Sequence, residues 1–191
     1  MALIVVGGQT KNIGKTTLIC NIIVALPQVK WTAVKITNHL HAPRHCEIFK
    51  ESGGWTIWNQ NPTKDESDTA KFLRSGADRA LLVQSEDSSL KEACAFLQAE
   101  LASAAAVIVE SASAMEFLDP TVLLLLLDAA QFDFKQSVKR QLERADAFII
   151  RSSDFKASEW VKRNKPVFAA SSNRLDPALV SMLEAKLARP V

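Results

Sequence analysis

The sequence is short of the features that mark a secreted, membrane-spanning or nucleic-acid-binding chain. Three cysteines, Cys20, Cys46 and Cys94, make no paired framework, which excludes a disulfide scaffold. Cys20 and Cys94 fall in apolar helical patterns and read as buried thiols. Charge of one sign is missing too. The 23 basic and 21 acidic residues leave +2, too little to argue for a nucleic-acid or membrane surface. The longest aliphatic stretch, residues 122–127, has the length of a strand and cannot cross a bilayer. The first residues lack a basic segment, and the apolar run after them is too short for a signal peptide. Linkers, repeats and low-complexity tails are absent as well. The expected setting is a reducing cytoplasm, with no nucleic acid or membrane as partner. A length of 191 residues, 48% of them hydrophobic, suits a single domain over 1–191.

What is present is concentrated at the start. An apolar run over residues 3–6 stops at Gly7-Gly8. A polar loop follows, then Gly14-Lys15-Thr16-Thr17, then Leu18, Ile19, Ile22 and Ile23 at helical spacing. Strand, glycine-bearing loop and helix in this order make a phosphate-binding P-loop. Backbone N–H groups and the positive end of a helix form a nest for phosphate oxygens. In this reading Gly8, Gln9, Thr10, Lys11, Asn12, Ile13, Gly14, Lys15, Thr16 and Thr17 are the nucleotide-binding residues. Gly14 lets the backbone come close, Lys15 reaches the β and γ phosphates, Thr16 offers its hydroxyl to Mg²⁺, and Thr17 touches the α phosphate.

The spacing departs from the usual pattern. A glycine is due at position 9, where Gln9 stands, and Gly8 lies one residue earlier. In this extra residue the loop resembles that of dethiobiotin synthetase. In Gly-Lys-Thr-Thr-Leu after an opening strand it resembles the adaptor proteins of molybdopterin-guanine dinucleotide biosynthesis. Both belong to a branch of P-loop NTPases that often carries a second, signature lysine. Lys11 lies four residues before Lys15 rather than the usual five, so that role is not assigned to it.

Further along, residues 31–37 alternate and are β-branched, which predicts a strand with Lys35 near its carboxyl end. Ligands sit outside such ends in parallel sheets. Both families have a lysine here, and the resemblance implies that Lys35 approaches the terminal phosphate or an anionic substrate. The plainer alternative is a solvated lysine. Residues 38–63 read as a long irregular loop insertion. It holds His39, His41, His45, Cys46, Trp55 and Trp58. The histidine spacing fits no closed metal motif, although a zinc or iron site stays open as an alternative. The adaptor family has histidine just after the lysine, which implies a substrate or phosphate role for His39 or His41. The tryptophans either cap a ligand or anchor the loop, and anchoring is the expectation.

A helix is predicted over 65–74, with Asp65 or Ser67 capping it and Gly76 just past its end. By resemblance Asp68 assists Mg²⁺ or substrate; by local chemistry alone it is a first-turn acid favoured by the helix dipole. Strands follow over 79–84 and 104–109, the second almost wholly apolar, as buried parallel strands are. It delivers Glu110, an acid placed to orient Mg²⁺. Both families have Glu-Gly there, whereas this chain has Glu110-Ser111. Strands over 121–127, 147–151 and 166–170 complete the pattern, with helices over 135–144 and 177–187. The Asn-Lys-x-Asp code of guanine-specific GTPases does not follow the strand ending near 151. Ser171 and Asn173, after the last strand, are the purine-contacting candidates; a polar turn is the alternative.

The expected fold is α/β: a three-layer α/β/α sandwich on a mainly parallel sheet of about seven strands, the P-loop NTPase fold. The expected function is an Mg²⁺-dependent protein binding ATP or GTP, a slow NTPase or adaptor of cofactor biosynthesis. Lys15 and Lys35 would neutralise charge in any transfer. An ATP-dependent ligase or kinase similar to dethiobiotin synthetase is the second reading, and a metal or redox sensor using the His/Cys loop is the third. Resemblance alone implies a homodimer and a cofactor-biosynthesis partner protein.

Overall fold

The computed structural model describes residues 1–40, 42–111, 113–128, 136–151, 165–170 and 174–188. In chain order the elements are β1 (Ala2–Gly8), α1 (Lys15–Ala25), β2 (Trp31–Thr37), β3 (Cys46–Ser52), β4 (Trp55–Gln60), α2 (Asp68–Arg74) and β5 (Arg79–Ser85). Then come α3 (Leu90–Glu100), β6 (Ala106–Glu110), β7 (Val122–Leu127), α4 (Gln136–Gln141), β8 (Ala147–Ile150), β9 (Val167–Ala169) and α5 (Pro177–Leu187). The strands form one sheet in the order β3-β4-β5-β2-β6-β1-β7-β8-β9. From β5 to β9 every pairing is parallel.

Side-chain alternation explains the layering. Leu3 and Val5 of β1 face one core with Ala93, Cys94 and Leu97 of α3 and Val138 of α4. Ile4 and Val6 face the other, with Ile19, Ile22 and Ile23 of α1, Phe72 of α2, and Leu179 and Leu183 of α5. A parallel strand covered on both sides must be apolar throughout, and β1, β6 and β7 are buried along their whole length. Each fully buried Leu, Ile or Val in them contributes roughly 1.5–3 kcal/mol relative to exposure.

One expectation is overturned. Residues 38–63 are not a structureless insertion: half of them form an antiparallel hairpin, β3 and β4, which extends the sheet from seven strands to nine. Gly53-Gly54 is the turn, closed by the Ser52–Trp55 pair, and Gly54 takes a positive φ of 83°. Trp55 and Ile57 point inward, and the Trp55 ring lies 5.2 Å from that of Phe96 on α3. The Trp58 indole donates to Gln84 Oε1 on β5 at 2.7 Å. Both tryptophans therefore anchor the hairpin, as expected of them.

Helix α2 starts at Ser67, whose hydroxyl accepts the Ala70 N–H. It ends in a Schellman turn: Gly76 N–H bonds Leu73 O and Ala77 N–H bonds Phe72 O, with Gly76 at φ 107°. This turn leads straight into β5. Because the parallel strands run together, Gly8, Thr37 and Glu110 all lie at the carboxyl edge of the sheet. The site is built there.

Candidate functional site

The loop between β1 and α1 is shaped by close contacts. A Cβ on Gly8 would come within 2.7 Å of Ile13 Cγ2 and 2.9 Å of Lys15 Cδ, so the loop folds back over a position only glycine can fill. Asn12 and Gly14 both take positive φ, 58° and 109°. Gly14 caps α1, whose first intrahelical bond runs from Leu18 N–H to Gly14 O. The N–H groups of the first turn have no helical acceptor, which leaves a donor-rich, positive end facing the cleft.

Gln9 stands where the shorter pattern has glycine, and it does something the sequence does not disclose. It is fully buried. Its N–H donates to Leu126 O at 3.0 Å, and its Oε1 accepts the Asp128 N–H at 2.7 Å. The extra residue thus ties the loop to the end of β7 through its N–H and its Oε1.

Glu110 is the centre of the charged cluster. Its carboxylate is buried, with a side-chain exposure of 3%. Thr16 Oγ1 donates to Glu110 Oε2 at 2.8 Å. Lys35 Nζ donates to Glu110 Oε1 and lies 2.9 Å from Asp68 Oδ2. Lys15 Nζ stands 4.0 Å from Glu110 Oε1. Sheet register produces most of this: β2 pairs with β6 so that Lys35 lies directly opposite Glu110. Asp68 arrives from the first turn of α2. Burial works to lower the pKa of the Lys35 ammonium, but the charge and hydrogen bonds of Glu110, with those of Asp68, outweigh it and hold the pKa above 10.5. Lys35 is therefore a fixed cation at neutral pH.

Where resemblance leads one to expect a glycine, Ser111 is buried. Its N–H bonds Val6 O, and its hydroxyl accepts the Ala114 N–H at 3.1 Å. The serine stabilises the turn after β6.

Around the cluster opens a cleft of about 1010 Å³. Lys11, Asn12, Gly14, Lys15, Thr16 and Thr17 line one side of it; Gln60, Ser67, Asp68 and Thr69 line another. Lys11 Nζ lies 3.3 Å from His39 Nε2 across it. Gly8, Gln9, Thr10 and Ile13 are not among the residues that line it. Of the remaining candidates, His41, Ser171 and Asn173 lie outside the described residues. Among the described residues no group of three or more His, Cys, Asp and Glu is close enough to hold a metal ion by itself. The Cys46 thiol faces Gln60 Oε1, and burial, aided by the charge of Asp65, pushes its pKa up and away from the thiolate form.

No family model matches the chain, and no curated protein matches it in sequence. Solved structures do match its fold. LpxK from Aquifex aeolicus in complex with ATP superposes with a TM-score of 0.55 at 18% identity, covering 88% of this chain and 53% of its own. HypB from Helicobacter pylori in complex with nickel gives 0.52 at 17% identity, covering 97% and 87%. Both are P-loop NTPases. This chain has the P-loop NTPase fold. It spans about half the length of the LpxK chain it matches. MobB from Bacillus subtilis matches over the full length of both chains, at 15% identity and a TM-score of 0.47. The β1–α1 loop and the cleft lie together at the carboxyl edge of the sheet. No helix among the described residues is long and apolar enough to cross a membrane.

Proposed function

We propose that this protein binds a Mg²⁺–nucleoside triphosphate at the β1–α1 loop and works as a slow NTPase or binding adaptor in cofactor biosynthesis. The observation that carries the reading is the bond between the Thr16 hydroxyl and the Glu110 carboxylate at 2.8 Å, at the start of α1. These are hard oxygen donors, which Mg²⁺ prefers; it is usually held by one or two carboxylates together with substrate phosphates. Thr16 and Glu110 would hold the ion, with Asp68 nearby, and the ion would neutralise phosphate charge. Lys15 would meet the β and γ phosphates, the first-turn N–H groups and Thr17 the α phosphate, and Lys35 the terminal phosphate. Ser171 and Asn173 are assigned to the purine, ATP or GTP. Two side chains of the cleft, His39 and Asp68, are engaged by Lys11 and Lys35. That supports positioning and slow turnover rather than fast activation of water. A cytoplasmic setting, a homodimer and a partner protein complete the proposal.

The cleft supports a second reading. It extends from the loop to Gln60 and Thr69, and about 1010 Å³ is at the upper end of ordinary ligand sites. There is room for an acceptor beside the triphosphate, as in a ligase or kinase.

A thermal-shift screen tests the main reading. ATP or GTP with Mg²⁺ should raise the melting temperature, since a ligand that binds only the folded state stabilises it. No shift with any triphosphate would overturn the reading. Many-fold stimulation of ATP turnover by an added small-molecule acceptor would favour the second.

A further inference from the structure

The Glu110 carboxylate has both oxygens engaged. One accepts from Thr16 and the other from Lys35, which also reaches Asp68 at 2.9 Å. One ammonium thus bridges two carboxylates, an arrangement that a divalent cation could itself adopt. We propose that Lys35 is an internal counter-cation, holding Glu110 and Asp68 until a metal ion carried in by the nucleotide takes Glu110, so that metal binds with nucleotide and not before it. This rests on the reading of the cleft as an Mg²⁺–nucleotide site.

Three features support it. The position of Lys35 is set by the β2–β6 register and by a partly buried side chain, not by a loose surface pair. Glu110 is nearly fully buried, and an unpaired charge there is costly, so some cation has to accompany it in the nucleotide-free protein. Lys15 stands beside the same oxygen, so a bare divalent ion would arrive against two ammonium groups. A triphosphate brings the negative charge that relieves this repulsion. It also gives Lys35 a new partner, while Asp68 keeps hold of the ammonium near the terminal phosphate.

The test is Mn²⁺ binding followed by electron paramagnetic resonance, with Mn²⁺ alone and with a non-hydrolysable triphosphate. Wild-type protein should bind Mn²⁺ alone weakly. Lys35→Gln, which keeps a donor for Glu110 but removes the charge, should bind it about tenfold more tightly or better, and Lys35→Arg should behave as wild type. Unchanged or weaker Mn²⁺ binding by folded Lys35→Gln would overturn the proposal alone, provided that all forms bind Mn²⁺ with the triphosphate. If no form does, the site reading falls and the proposal with it. Should Lys35→Gln fail to fold, the wild type decides. Its Lys35 ammonium ¹⁵N signal should move on adding Mg²⁺ with triphosphate and stay in place with Mg²⁺ alone. Movement with Mg²⁺ alone would refute the proposal.

Discussion

Glu110 is a buried acid at a strand end, and its three neighbours define what can be asked of single residues. Glu110→Gln keeps the shape and removes the charge that would face Mg²⁺. Nucleotide affinity with Mg²⁺ should fall by more than affinity without it, measured by calorimetry; equal losses would make Glu110 structural only. Gln9 carries a different kind of prediction. Gln9→Ala strips the acceptor from the Asp128 N–H and leaves a small void in a fully buried position. An orphaned donor of this kind costs about 1–3 kcal/mol, to be read as a loss of unfolding free energy in urea. Sequence alone pointed to Lys15, Thr16 and Glu110 because their chemistry is local to a strand end and a helix start. It could not reveal that Lys35 and Glu110 touch, since that depends on β2 lying beside β6 rather than beside β1. Nor could it show that Gln9 is buried and accepts the Asp128 N–H.

Among the elements, the hairpin of β3 and β4 is the piece that pattern reading missed. Residues 47–51 of β3 are all exposed, so the strand has no buried face to alternate, and a bulge between Ile48 and Lys50 breaks what period there is. The signal that was available is the Gly53-Gly54 pair, with Ile48-Phe49 before it and the β-branched and aromatic run Trp55-Thr56-Ile57-Trp58 after it. That turn can be tested against itself. Gly54 has a positive φ, and a Cβ there would lie 2.3 Å from Ser89 Oγ, whereas a Cβ on Gly53 meets nothing within 4 Å. Gly54→Ala should destabilise by about 1–3 kcal/mol and Gly53→Ala by much less. Equal melting temperatures for the two variants would mean that the turn is not built as described. The parallel strands were easier to find, because a strand buried on both faces must be a nearly unbroken aliphatic run, as Val122–Leu127 is.

For the whole molecule, stability against pH follows from groups far apart in the fold. Burial pushes the Cys94 thiol from 9.0 up to about 12. Between those values the unfolded chain loses a proton that the folded chain keeps, so stability falls as pH rises. Lys35, raised above 10.5, acts in the same direction at higher pH: its pairing stabilises the fold below 10.5 and is lost as the ammonium deprotonates. Urea unfolding at a series of pH values should show this alkaline decline, and Cys94→Ala should make it shallower, with the raised thiols of Cys20 and Cys46 supplying the rest of the thiol contribution. A Cys94→Ala profile identical to wild type would contradict the assignment. The architecture as a whole exists to bring the carboxyl ends of β1, β2 and β6 to one edge, where the first turn of α1 faces a cleft. Calorimetric titration of wild type and Lys15→Ala with Mg²⁺–ATP and Mg²⁺–GTP tests that most directly. The wild type should bind at least one nucleotide saturably, and the variant should lose that binding while its circular dichroism spectrum stays unchanged. Equal affinity in the two proteins would contradict it.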